Sequence, residues 1–414
     1  MAADDDRVRS VDEHLATVLD GIDALTPIEL PLLEAQGLLL AENVVTDVPL
    51  PGFDNSAMDG YAVRAVDTRN ASEENPLDLP VVGDVVAGTK NRNGMGPGLA
   101  MRIMTGAPIP AGADAVIPVE QTDGGLARVR ITAPARSGDS VRRAGEDLTA
   151  GVQALAAGAA IGPQQIALLA AVGRDRVLTR PRPRVIVIST GSELVEVGRP
   201  PAFGEVPDSN SYLLAAAARD AGADAHRAGI IPDDHSKLLD ALEIQLSRAD
   251  ILITSGGVSM GAFDVVKQAL ADLGTVEFVR VAMQPGRPQG FGHLGDHVPI
   301  FCLPGNPVSA LVSFEVFVRP AIRKLLGKPQ LQRATVQAVA IEGVRSPAGV
   351  RQYRRGVLHR EANGAYSVSF VGGPGSHLIA SMASANCLVV IDDSVTEVVA
   401  GSRVTVIPLL LSHR

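Results

Sequence analysis

Tryptophan is absent from the 414 residues, and aromatic residues make up only 3% of them. So few aromatic faces exclude the stacking platforms on which single-stranded nucleic acid is bound. Basic runs are missing as well. With 37 Lys and Arg against 46 Asp and Glu the formal net charge is −9, so nucleic acid and anionic membrane are excluded as expected partners. No uninterrupted apolar run approaches the ~20 residues that span a bilayer. The opening MAADDDRVRS is acidic and has no apolar core, so it does not read as a signal peptide, and the cytoplasm is the expected compartment. The two cysteines, Cys302 and Cys387, lie far apart in apolar stretches and are expected as buried free thiols. No GxGxxG follows a strand-like run, which argues against a dinucleotide site of that type. Gly83 to Lys90 has P-loop glycine spacing, but Thr precedes the Lys and no helical pattern follows, so it reads as a β-turn.

What is plentiful is glycine and proline, 42 and 28 residues, alongside 46% hydrophobic residues. That mixture describes a globular chain with many turns, and its length implies several domains. Residues 10–43 read as helical. Ser10 and Glu13 form a capping box for a helix to Leu25, and a second apolar-periodic segment follows from Ile28 through Ala35. Short alternating strands such as Leu79 to Val82, Ala115 to Val119 and Arg128 to Thr132 mark a β-rich second domain. A helix with proline in its first turn is expected over residues 163–172. From Val185 apolar strands alternate with helices, which implies a mainly parallel sheet covered on both faces. Beyond Pro329 only strands appear, the pattern of a small β-barrel. The expected architecture is therefore multidomain α/β plus β. Residues 1–50 with 146–178 form an elongated helical domain, 51–145 a β-rich domain, 179–328 a doubly wound α/β domain, and 329–414 a barrel.

Three strands of the α/β part end in polar or glycine-rich turns: TGSE at 190–193, SGGVSMG at 255–261 and PGNPVS at 304–309. The central stretch, Asp250 to Val266, runs strand, Ser255-Gly256-Gly257, Ser259, Asp264 and then helix. Such a turn places free N–H groups and the positive end of a helix dipole where an anion can bind. Three such turns at one sheet edge would line a crevice for phosphate, with Glu193 and Asp264 positioned to hold Mg²⁺. Taken alone, each acid also reads as a helix cap. Arg287, between Gly286 and Pro288, is the expected anion-binding guanidinium. Arg280 reads as a surface charge, and His293 with His297 does not read as a metal pair. Asp54, Asn55, Ser56 and Asp59, with Met104 to Pro108 and Glu120, mark a second polar surface that turn chemistry alone could also explain.

The strings PGFDNSAMDGYAV, RIMTGAPIPAGADAVIPVE, ISTGSELV, SNSYLL, ITSGGVSMGAFD and LPGNPVSA stand in this order from about residue 10 to 407. In this the chain resembles the molybdopterin molybdenumtransferase family, which includes bacterial MoeA proteins and the E domains of gephyrin and its plant counterpart. The resemblance implies insertion of molybdate into adenylyl-molybdopterin with Mg²⁺, releasing AMP and molybdenum cofactor. It also implies a homodimer whose active site joins the α/β domain of one subunit to the second domain of the other. Molybdopterin adenylyltransferase and molybdoenzyme apoproteins are the implied partners. By resemblance Asp59, Thr105 and Asp147 are functional, and Glu193, Asp264 and one of Asp233 or Asp234 surround the crevice. Of these, Glu193, Asp264 and Asp233 are expected as metal ligands. Ser255, Gly256, Gly257 and Ser259 match the pterin-phosphate loop, with Pro304, Gly305, Asn306 and Pro307 opposite. Arg287, Ser309, Arg354 and either Ser376 or Ser381, with Ser381 preferred, match molybdate positions. The sequence departs from the family at Ser192, where Asp is frequent, and at Gln284, Arg280 and Arg287, where Lys is frequent. Two other readings stand beside this one: a non-catalytic scaffold of the same fold, and the related pterin adenylyltransferase. The acids and the SGG loop argue against the first, and the additional domains against the second.

Overall fold

The computed structural model of the chain describes residues 8–90, 94–258, 265–272, 276–295 and 297–409. Two compact units emerge, one of residues 8–28 with 180–409, the other Glu29–Thr179. Among the described residues no helix is long and apolar enough to cross a membrane. Both cysteines are buried, and neither forms a disulfide.

The first unit is built on a seven-stranded sheet. Strand Arg184–Thr190 pairs in parallel with Asp224–Ile231 on one side and Ile251–Ser255 on the other. Val298–Leu303 continues the parallel run, and the antiparallel strands Pro288–Leu294 and Val276–Val281 complete the sheet up to Val8–Arg9 at its edge. The central strands are rich in Val, Ile and Thr and are buried at every position from Val185 to Thr190 and from Ile251 to Ser255, because both sheet faces are covered. Ile186, Ile188, Leu252 and Ile300 pack with Leu238, Leu242 and Leu270 from helices His235–Leu246 and Val265–Asp272. Residues of opposite parity, Val185, Val187, Ile251 and Ile253, are equally buried. The helix Asn210–Ala221 packs on the strand Arg184–Thr190 and on the helical run 307–325. That run consists of Pro307–Ser313, a π turn Phe314–Val318 and Arg319–Leu325.

The strands beyond residue 329 close on themselves. Arg351–Arg360, Tyr366–Phe370, Val336–Ala340, Arg403–Pro408 and Cys387–Ile391 form a cycle, because Arg351–Arg360 also pairs with Cys387–Ile391. This is the expected small barrel, and closure leaves no edge among those five strands. The strand Met283–Gln284, leaving the α/β sheet, joins it beside Arg351 and Gln352.

The second unit holds a five-stranded sheet, with Gly60–Val63 paired to Ala100–Ile103 and Ala115–Pro118. Leu77–Val85 runs through Gly83 as a strand and ends at a turn near Gly88, the β-turn expected there. The helix Pro163–Ala171 forms as the sequence predicts.

One expectation needs correction. The segment from Ile28 is not helical; Ile28–Pro31 is a strand and turns follow it. Pro31 lacks the N–H that a helix would donate back to Pro27, so the apolar periodicity is used by turns instead. By contacts, residues 8–28 belong to the first unit. The helix Val11–Asp20, capped by Ser10 and Glu13 as expected, packs in the first unit, and Val8–Arg9 adds to the α/β sheet there.

Candidate active site

In the α/β sheet the chain passes from Arg184–Thr190 to one neighbour and then crosses to the other, so the strand order reverses beside that strand. Carboxyl ends of strands at such a reversal open a crevice for ligands. The turns at these ends are tied together. Gly256 donates its N–H to Leu303 O at 3.1 Å, and Gly191 donates to Ile231 O at 3.2 Å. Gly256 has φ +98°, and a Cβ there would lie 2.6 Å from Thr190 O, so no other residue fits this approach. Asn210 Nδ2 donates to Ser255 Oγ at 2.8 Å and to Gly305 O at 2.6 Å. Ser255, Gly256, Pro304 and Gly305 thus meet at one edge, with Gly257 following at φ +73°. Asn306 and Pro307 there begin the 307–325 helix. Ser259 and Asp264 lie outside the described residues.

Of the crevice acids, Asp233 and Asp234 separate cleanly. Asp234 caps the helix His235–Leu246, accepting from Lys237 N at 3.0 Å and Ser236 Oγ at 2.8 Å. These bonds hold its carboxyl below the usual range, the Lys237 N–H first. Asp233 instead accepts from Ser192 N at 3.1 Å, and its own N–H donates to Ser192 Oγ at 3.2 Å. The loop that carries Glu193 is thereby clasped to the loop that carries Asp233. Both carboxylates are exposed. Among the described residues no group of three or more His, Cys, Asp or Glu could hold a metal ion. Two exposed carboxylates do suit Mg²⁺, which keeps most of its waters and bridges to phosphate.

A cavity of about 390 Å³ opens where the α/β domain meets the barrel. Arg287, Ser309 and Ser376 line it, together with Gln284 and Gly286. Gln289 Nε2 bonds Gly286 O and Ser313 Oγ, both at 2.6 Å, which fixes the turn that presents Arg287. Arg287 is exposed and has no ion-pair partner among the described residues. Gln284, uncharged, accepts from Gln352 Nε2 at 2.8 Å and so serves the contact between barrel and sheet. Ser376 O accepts from Val308 N at 3.1 Å, docking the 372–376 turn on the start of the 307–325 helix.

Arg354 and Ser381 do not line this cavity. The Arg354 guanidinium lies 5.8 Å from the Phe370 ring centroid, and Ser381 belongs to the helix Ile379–Ala383 beside Gly372. The neighbouring Arg355 is the one that supports the cavity wall. It is buried and donates to Gly373 O at 2.6 Å and Gly375 O at 3.1 Å. Two further residues are given no role by the sequence reading. Buried Asp208 accepts from Ser189 Oγ at 2.9 Å and from Ser211 N at 3.0 Å, beneath the helix that starts with Asn210. A visible signal for Asp208 was its place three residues before Ser211, a capping spacing. Asn210 itself had no such signal, since its partners are remote in sequence.

In the second unit Asp59 and Thr105 meet. Asp59 Oδ1 accepts from Thr105 N and Thr105 Oγ1, both at 2.7 Å. The backbone N–H first and the hydroxyl second hold its carboxyl below the usual range. Their two stretches run together, as Ser56 N donates to Ala107 O at 2.9 Å and Gly106 N to Ser56 O at 2.8 Å. Asp147 is exposed, and its N–H donates to Leu50 O at 3.0 Å. No side-chain bond joins it to Asp59 among the described residues.

Three family models match the chain: MoeA N-terminal region (domain I and II) over residues 9–173, probable molybdopterin binding domain over 186–324, and MoeA C-terminal region (domain IV) over 337–409. Molybdopterin molybdenumtransferase 1 of Mycobacterium tuberculosis is 47% identical, across 96% of this chain and 98% of that relative. Molybdopterin molybdenumtransferase of Bacillus subtilis is 35% identical, across 89% and 86%. Two solved structures of molybdopterin biosynthesis MoeA protein from Pyrococcus horikoshii superpose with TM-scores of 0.82 and 0.75, at 31% and 29% identity. They cover 98% and 97% of this chain and the whole of each neighbour. Identity at this level over almost the full length shows that the chain belongs to the molybdopterin molybdenumtransferase family, a family of transferases.

Proposed function

We propose that this chain inserts molybdate into adenylyl-molybdopterin with Mg²⁺, releasing AMP and molybdenum cofactor, and that it acts as a cytoplasmic homodimer. The observation that carries the reading is the cavity shared by Arg287, Ser309 and Ser376. Molybdate is a tetrahedral dianion, and one guanidinium with two hydroxyls supplies donors on several sides of it. The crevice of Ser255, Gly256 and Gly257, with Pro304 to Pro307 opposite, suits the phosphate of the pterin substrate, because a glycine turn beside a helix start favours an anion, and by resemblance Ser259 serves the same phosphate. Glu193 and Asp233 would hold Mg²⁺, with Asp264 as a further ligand. When bound, the ion supplies charge neutralisation at the phosphate oxygens. Asp59, Thr105 and Asp147 serve the same reaction from the second unit. Arg355 acts by holding the turn that carries Ser376. Adenylyl-molybdopterin would come from a molybdopterin adenylyltransferase, and molybdoenzyme apoproteins would receive the product.

The test is AMP release from adenylyl-molybdopterin on addition of molybdate and Mg²⁺. Wild-type protein should release AMP, and failure to do so sinks the reading. Arg287→Ala should raise the KM for molybdate tenfold or more while leaving the affinity for adenylyl-molybdopterin within about twofold. An unchanged molybdate KM would remove the cavity from the reaction.

A further inference from the structure

The 307–325 helix carries a second polar cluster at its far end. Glu315, Arg319 and Arg323 recur at a spacing of four and share one face. Arg319 donates Nε to Glu315 Oε2 at 2.8 Å and reaches Asp220 with Nη2. Arg333, from the segment leading into the barrel, donates to the same Glu315 at 2.8 Å and the same Asp220 at 2.7 Å. Both carboxylates are thus occupied by two guanidinium groups. Arg323 is the third, and its Nε gives one bond, to Gln330 O at 2.5 Å. Its two Nη groups have no acceptor among the described residues.

Arg319, Arg323, Arg333, Gln330 and Gln332 surround a cavity of about 270 Å³. Three cations against two carboxylates leave one positive charge over, facing that space. The local potential is felt by the side chains themselves. Burial first, then the charges of Arg319 and Arg333, hold Arg323 below its ordinary value. Burial, then Arg323 and Arg182, do the same to Lys328. The one positive charge left over is that of Arg323, on a chain of net charge −9, and the amide groups of Gln330 and Gln332 add neutral donors. This cavity is separate from the one that holds Arg287. Ser309 and Arg323 lie on one helical run, and at ~1.5 Å per residue they stand roughly 20 Å apart along its axis.

We propose that this cavity binds a phosphate-class oxyanion, either free inorganic phosphate or the phosphate of a nucleotide. Arg323 is its principal ligand, through a forked pair of N–H donors that matches two oxygens. Gln330 and Gln332 complete the donor set. Arg319 and Arg333 set the sign of the field and are held by Glu315 and Asp220.

Equilibrium dialysis of the full-length protein against inorganic phosphate and, separately, AMP tests this, with ionic strength held constant by chloride. Wild-type protein should bind one of the two probes, and binding of neither overturns the site. Arg323→Gln should weaken the bound component at least tenfold, whereas Arg287→Gln should leave it intact. Unchanged binding in Arg323→Gln, or loss of all binding in Arg287→Gln, overturns the assignment. Gln332→Glu sets a carboxylate on the cavity wall without touching an ion pair, and it should abolish the same component. Should Arg323→Gln lose its native circular dichroism, Gln332→Glu decides alone. Phosphate bound in preference to AMP identifies the free ion as ligand, and the reverse identifies the nucleotide.

Discussion

At the scale of single residues, His14 couples the stability of the first unit to pH. It is 3% exposed, its ring meets Phe317 edge-on at 4.8 Å between centroids, and its Nδ1 has no hydrogen-bond partner among the described residues. Burial first, and the Arg9 charge second, pull its pKa down to about 4. In the unfolded chain the ring takes up its proton near pH 6.5. Between those values the unfolded state binds a proton that the folded state refuses, so stability falls as pH drops through the window. At ~1.4 kcal/mol per pH unit, roughly 3 kcal/mol is lost by pH 4. Melting curves at pH 7 and pH 4.5 should show a shallower acid loss for His14→Leu than for wild type, and equal losses would exclude His14 as the source. The same scale shows what the sequence conceals. Arg354 and Arg355 are adjacent on one strand, so their side chains leave on opposite faces, and only the barrel register decides which one faces the cavity wall. Arg354 pairs with Val389 and Arg355 with Leu388, contacts some thirty residues away that no local pattern reveals. Ser376 and Ser381 pose the same difficulty, since only docking of the 372–376 turn on Val308 brings Ser376 to the cavity. Gly256 and Gly257, by contrast, were legible, because only glycine meets the torsions their turn requires.

At the scale of elements, the helix 307–325, the helix Asn210–Ala221 and the segment ahead of Val336 are joined by charge as much as by packing. The side chains of Glu315 and Arg319 are 4% and 5% exposed, and Arg333 completes the contact. Replacing Glu315 removes the carboxylate that both guanidinium groups share and leaves the buried Arg319 and the half-buried Arg333 opposed only by the half-exposed Asp220. Breaking a buried pair from one side costs about 3–5 kcal/mol. Glu315→Gln, nearly equal in volume, should therefore lower the free energy of unfolding by about that amount in urea titration, and a loss under ~1 kcal/mol would show that the pairing is screened. Elements with a strong period were readable in advance. The helix Asn210–Ala221 and the strand Ile251–Ser255 appear where apolar spacing predicts them. Ile28 to Ala35 misled because its apolar spacing is helical while Pro31 forbids the helix, and a short strand paired with Arg176–Thr179 wins instead. That partner lies about 145 residues downstream, beyond any local window.

At the scale of the whole molecule, the chain is a unit interrupted by an insertion, a fact that domain boundaries read from composition do not reveal. Residues 8–28 leave the first unit's sheet, and the chain returns at residue 180 only after completing Glu29–Thr179. The short N-terminal stretch is anchored at several points. Val8 and Arg9 pair with Arg280 and Val281, Arg9 forks onto Glu277 at 2.5 and 2.9 Å, and Asp12 receives both Nη groups of Arg351 at 2.8 Å. Lys324 Nζ reaches Leu19 O at 2.5 Å, and His293 Nε2 lies 2.7 Å from Gly21 O. Val11, Leu15 and Val18 are buried, and at about 1.5–3 kcal/mol for each apolar side chain their loss would consume much of the 5–15 kcal/mol that holds a typical domain. The two ends of the insertion are neighbours, since Ile28–Pro31 and Arg176–Thr179 form a two-stranded pair, and paired strands lie ~4.8 Å apart. A linker of a few glycines and serines can therefore replace residues 29–179. That protein should unfold in one cooperative transition and, because Arg287, Ser309 and Ser376 all belong to the retained unit, should still bind molybdate. A chain that begins at residue 180, lacking 8–28, should melt well below it or fail to fold. Equal melting temperatures for the two would mean that the N-terminal helix decorates the first unit and does not complete it.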